Sequence, residues 1–110
     1  KTRLEHRMAD ASCNPYTAVA AILQAARLGY EGAYALPAPE AGDCFERTDA
    51  GQGVADSLSG AMDDLAADTA LGDALGRELV DHHIFMKRIE VDKTAGLEGA
   101  ALRDYYIWYV

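Results

Sequence analysis

Hydrophobic and polar positions change period along the chain, and each change marks an element. From Thr2 to Met8 the period is two: Arg3, Glu5 and Arg7 fall on one side of an extended backbone, and Leu4, His6 and Met8 on the other. This pattern predicts a strand. Asn14 is a good N-cap, and Pro15 follows at the first helical position, where its missing N–H costs nothing. A helix is therefore predicted over Pro15 to Leu28, with Tyr16, Val19, Ala20, Leu23 and Ala26 as its apolar face, Ile22 beside them and Gly29 as its stop. Periodicity fades between Tyr30 and Val54, where prolines, glycines and scattered acids read as a long irregular connection.

Helical periodicity then returns. Ser57 caps a second helix carrying Leu58, Met62 and Leu65 on one face, with Ala61 alongside. Asp68 and Thr69 break it; Thr69 is placed to cap a short turn to Leu75, closed by Gly76. Arg77 to Thr94 reads as the third helix, with Leu79, Val80, His83, Ile84 and Met86 on its apolar side. Its later turns hold Lys87, Arg88 and Lys93, where the helix dipole favours cations. The tail from Leu97 to Val110 turns aromatic and predicts a short terminal helix packed on a body or a neighbouring subunit. The expected fold class is α+β, mainly helical: one amino-terminal strand followed by three to four helices.

Charge narrows the function. Ten Lys and Arg face eighteen Asp and Glu, a formal net charge of −8, which argues against nucleic acid as a partner. Tyr30, Tyr34 and Phe45 then read as packing residues rather than a platform for bases. No run approaches the ~20 apolar residues of a membrane span. Cys13 and Cys44 lack C-x-x-C spacing and are expected to be free thiols. Adjacent helical residues point about 100° apart, so His82 and His83 do not suit a single metal. Asp56, Asp63, Asp64 and Asp68 lack the ligand spacing of a calcium loop and read as a solvated face.

The row Arg3, Glu5, Arg7 is different. Arginine forks pair bidentately with phosphate or carboxylate, and a glutamate between them offers a hard oxygen to Mg²⁺ or Mn²⁺. The same row also reads as a solvated strand face whose charges neutralise one another.

Arg3-x-Glu5-x-Arg7-x-x-Asp10-Ala11-x-x-Asn14-Pro15-Tyr16, followed by Ala18 to Ala21, resembles the closing catalytic segment of the glutamine synthetase family. Further along, Ser57-Leu58, Ala61, Leu65, Asp68, Leu71, Leu75-Gly76, Val80-Asp81, Lys87-Arg88 and Glu90 look like that family's carboxy-terminal helices. The segment from Asp92 to Arg103 departs from the pattern, which leaves the subfamily open. The resemblance implies ATP-dependent amide formation, in which the side-chain carboxylate of glutamate is phosphorylated and ammonia or an organic amine displaces the phosphate. It implies Glu5 as a ligand of the Mg²⁺ or Mn²⁺ beside the nucleotide, Arg3 on the phosphates of ATP, and Arg7 on the substrate carboxylate and transferring phosphoryl group.

At 110 residues the chain is at most one domain, and it opens without Met inside the predicted strand. The expectation is that residues 1 to 110 are the carboxy-terminal fragment of a glutamine synthetase-like catalytic domain, cytoplasmic, homo-oligomeric, and inactive without the remainder of the parent domain. The alternative is a non-catalytic structural or regulatory relative, or a helical oligomerisation module.

Overall fold

A computed structural model describes residues 2–10, 13–39, 41–43 and 54–108. Among them the regular elements are all helices: α1 (Pro15–Glu31), α2 (Leu58–Ala67), α3 (Thr69–Leu75), α4 (Arg77–Thr94) and α5 (Gly99–Ile107). The expected α+β class is thereby corrected. Residues 2–8 have no ladder partner among the described residues, and a strand exists only when a neighbour takes its backbone hydrogen bonds. Side-chain alternation reports the geometry of a single chain; pairing is non-local.

Local chemistry accounts for the helix starts. The Asn14 side chain accepts from the Tyr16 and Thr17 amides at 2.9 and 3.4 Å, and Ser57 Oγ accepts from the Gly60 amide at 3.1 Å. Between α2 and α3 the capping residue is Asp68 rather than Thr69: its carboxylate accepts from the Leu71 amide at 2.9 Å. Gly29 does not stop α1. The helix continues to Glu31, held by the Arg27–Glu31 ion pair at 2.7 Å, and Gly32 closes it by donating its amide to the Leu28 carbonyl at 2.8 Å.

The core forms where α2 crosses α4. Met62, Val80 and Ile84 are buried there, and Leu65, Leu75 and Val91 pack around them. Each fully buried side chain of this size contributes roughly 1.5–3 kcal/mol. Helix α3 touches α1, α2 and α4, so it is the wedge that joins the first helix to the rest. Gly76, at φ 98°, makes the α3–α4 junction without a loop, a backbone conformation that costs a side-chain-bearing residue. Arg77 then folds back over Gly72, donating to the Thr69 carbonyl at 3.2 Å and to Asp73 at 3.1 Å. A Cβ at Gly72 would lie 2.6 Å from that guanidinium, so the bare glycine makes room for it.

Several predicted faces differ from the observed ones. Tyr16, Val19 and Leu23 are exposed; the half-buried positions of α1 are Ala18, Ala20, Ala21, Ile22, Gln24, Leu28 and Gly29, so of the predicted face Ala20, with Ile22 beside it, is covered. That covered side belongs to the helix that meets α3. Tyr30 lies within α1 and is exposed, as is Tyr34; Phe45 and Cys44 lie outside the described residues. At the other end, α5 docks on α4 through Tyr106, whose hydroxyl donates to Glu90, while Ile107 and Trp108 remain exposed.

Candidate phosphate and metal site

Residues 2–8 lie ahead of α1 without regular secondary structure, and the Cys13 amide donates to the Asp10 carbonyl at 3.1 Å just before the Asn14 cap. The short link ties the charged row to the start of a helix. Extended backbone puts alternate residues on one side, and the three predicted side chains do converge. Glu5 Oε2 accepts from Arg3 Nη2 at 2.9 Å and Nε at 3.3 Å; Glu5 Oε1 accepts from Arg7 Nε at 2.7 Å, with Arg7 Nη2 beside the same oxygen. Hydrogen bonds from Arg3, and then from Arg7, hold the Glu5 carboxyl below its ordinary range.

This arrangement has specific chemical uses. Two guanidiniums against one carboxylate leave a surplus positive charge. Each guanidinium presents five N–H donors in a fixed fork, and only its Nε and Nη2 are turned to Glu5. The remaining donors suit the oxygens of a phosphate. A carboxylate is a hard ligand of the kind Mg²⁺ and Mn²⁺ prefer. Among the described residues no group of three His, Cys, Asp or Glu side chains is placed to hold a metal ion. All three side chains of the row are solvent-exposed.

Other candidates fall elsewhere. His82 and His83 are exposed on α4, and Cys13 is an exposed free thiol. Asp63 reaches Arg88 at 3.7 Å, an ion pair between α2 and α4. Beside it lies a shallow groove of about 330 Å³ lined by Ser59, Met62, Asp63, Arg88, Val91 and Asp92, with no member of the Arg-Glu-Arg row in it. Sequence reasoning missed a second polar cluster, in which Glu90 accepts from Lys87 at 2.7 Å and from Tyr106. The i, i+3 spacing of Lys87 and Glu90 was a signal for the pair; nothing local pointed to Tyr106. Among the described residues no helix is long and apolar enough to cross a membrane.

Residues 1–102, including the whole row, match the family model for the glutamine synthetase catalytic domain. The chain belongs to the glutamine synthetase family. It is 34% identical over 97 residues to a glutamine synthetase of Methanocaldococcus jannaschii, covering 83% of this chain and 21% of that protein. It is 37% identical over 95 residues to one of Thermotoga maritima, covering 81% of this chain and 20% of that one. A Methanococcus maripaludis glutamine synthetase is 31% identical over 97 residues, covering 83% of this chain and 22% of the relative. The chain thus spans about a fifth of the length of the relatives it matches. No solved structure matches it. The family model ends at residue 102, before Tyr105 and Tyr106 of α5.

Proposed function

We propose that the chain is the carboxy-terminal part of a glutamine synthetase-type catalytic domain, residues 1 to 110, and that its parent is an ATP-dependent carboxylate–amine ligase. The observation that carries this reading is the converged Arg3–Glu5–Arg7 row inside the segment that matches the family's catalytic domain. In this reading Arg3 holds the phosphates of ATP, and Glu5 supplies one oxygen to the Mg²⁺ or Mn²⁺ beside them. Arg7 binds the carboxylate of glutamate and then the acyl phosphate, before ammonia or an organic amine forms the γ-amide. The divalent ion, when bound, supplies charge neutralisation at the phosphates. The residues of this chain act by position: two forks fix where the phosphoryl group can sit, and their charge stabilises what develops there.

The row provides one metal ligand, so in this reading the remainder of the catalytic domain supplies the other ligands. The parent is read as cytoplasmic and homo-oligomeric, and residues 1 to 110 alone as inactive. ADP release by the full-length parent tests this, with ATP, Mg²⁺, L-glutamate and either ammonia or a panel of amines. Amine-dependent turnover lost in Glu5→Ala supports the assignment. A Glu5→Ala parent with full metal-dependent turnover would falsify it. A second, non-enzymatic reading, a helical association module, is favoured by the number of large apolar residues left exposed. Amine-independent inertness of a well-folded parent would select it.

A further inference from the structure

In the row ahead of α1, both oxygens of one carboxylate are already engaged. Glu5 Oε2 accepts from Arg3 Nη2 at 2.9 Å and Nε at 3.3 Å, and Glu5 Oε1 accepts from Arg7 Nε at 2.7 Å with Arg7 Nη2 beside it. Each guanidinium does this with its Nε–Nη2 edge, the same edge with which an arginine holds two oxygens of a phosphate. A hard divalent ion such as Mg²⁺ approaches a carboxylate oxygen to about 2.0–2.1 Å. Where a guanidinium already lies against that oxygen, cation meets cation, and the two exclude each other. The Arg3 and Arg7 side chains are 72% and 81% exposed and that of Glu5 43%, so both pairs are of the weak, exchangeable kind.

We propose that the row works by exchange: Glu5 takes up a divalent ion only by releasing a guanidinium edge, and the released edge is the one that then grips phosphate. Cation and phosphate binding are thereby coupled through the protein, beyond their direct attraction. The coupling is reciprocal, because a phosphate group that draws a fork away from Glu5 clears an oxygen for the ion. With neither bound, the row neutralises part of its own charge and holds the carboxylate between its two partners. This inference rests on the reading of Glu5 as a metal ligand and adds to it the order in which the side chains change partners.

Mn²⁺ binding to the full-length parent tests it, with the free ion followed by electron paramagnetic resonance in the absence of nucleotide. The Mn²⁺ lost in Glu5→Ala, with the other Mn²⁺ sites and the circular dichroism retained, defines the Glu5 site. The double variant Arg3→Lys/Arg7→Lys keeps both charges but removes both forks, since an ammonium is a compact point charge without a paired edge. Its dissociation constant at the Glu5 site is expected to be about two- to fivefold lower than the native one, the range set by a weak exposed ion pair. Charge alone predicts no such gain. Sulfate, compared with chloride at equal ionic strength, stands in for phosphate and is expected to tighten Mn²⁺ at this site more in the native parent than in the double variant. A double variant that binds Mn²⁺ no more tightly than the native parent overturns the exchange while leaving Glu5 a metal ligand, and so does sulfate without effect on the native constant. A Glu5→Ala isotherm identical to the native one overturns the exchange together with the metal role on which it rests.

Discussion

At the scale of single residues, Arg7 is where geometry and charge separate most cleanly. It meets Glu5 with the side of a planar fork, Nε at 2.7 Å, which keeps its other N–H groups in a fixed direction. A lysine carries the same charge but has no fork. In the full-length parent, on the ligase reading proposed above, Arg7→Lys is therefore expected to lose about as much as Arg7→Ala, on the order of 10²–10³ in kcat, the size of effect seen when one donor to a developing oxyanion is removed. Arg3→Ala should act mainly on the KM for ATP. Steady-state ADP release reads both. If Arg7→Lys stays within about twofold of the native enzyme, charge alone suffices and the fork has no role in transfer.

Individual helices carry a different kind of prediction, because the two decisive glycines differ in backbone rather than in surroundings. Gly29 lies inside α1, and a Cβ there would meet nothing within 4 Å. Gly29→Ala should stabilise the chain by about 0.5–1 kcal/mol through helix propensity and a less free unfolded state. Gly76 also has open space around its Cβ position but sits at φ 98°, so Gly76→Ala should destabilise by roughly 1 kcal/mol or more. Urea midpoints at constant m-value measure both, and equal shifts would contradict the backbone account. The same pair shows what a sequence can and cannot say. A glycine after a helical run signals a stop only when the chain turns there, and α1 continues past Gly29 to Glu31. Caps were legible at Asn14 and Ser57 because their hydrogen bonds span two or three residues. The convergence of Arg3, Glu5 and Arg7 was legible for the same reason. Whether residues 2–8 pair with a strand, and which side of α1 meets α3, depend on distant chain and were not.

At the scale of the whole molecule, the last helix is held by a titratable contact. Burial alone would raise the Glu90 carboxyl, but hydrogen bonds from Lys87 and Tyr106, with the charges of Lys87 and His83, outweigh it and leave the group below its ordinary value. Tyr106 is displaced upward by burial and by the same hydrogen bond to Glu90. The signs follow from linkage. A carboxyl whose folded value is depressed contributes stability in full above its unfolded value, ordinarily near 4.5, and loses it as pH falls through the folded one. A tyrosine whose folded value is raised contributes fully below its unfolded value, near 10, and loses its part as pH rises through the folded one. The α4–α5 contact is thus firm across the neutral range and weakens at both ends. Eighteen carboxylates titrate in this chain, so the acid limb of the native protein alone proves nothing. The difference between the native chain and Glu90→Gln isolates one of them. At pH 7 the variant should be less stable by about 1 kcal/mol, the scale of one charged hydrogen bond at a part-exposed site, and the gap between the two urea curves should narrow as pH falls through the depressed folded value. Tyr106→Phe should reproduce part of that loss while leaving the Lys87–Glu90 pair in place. A gap between native and Glu90→Gln that is unchanged as pH falls would mean that the carboxylate charge does not hold α5.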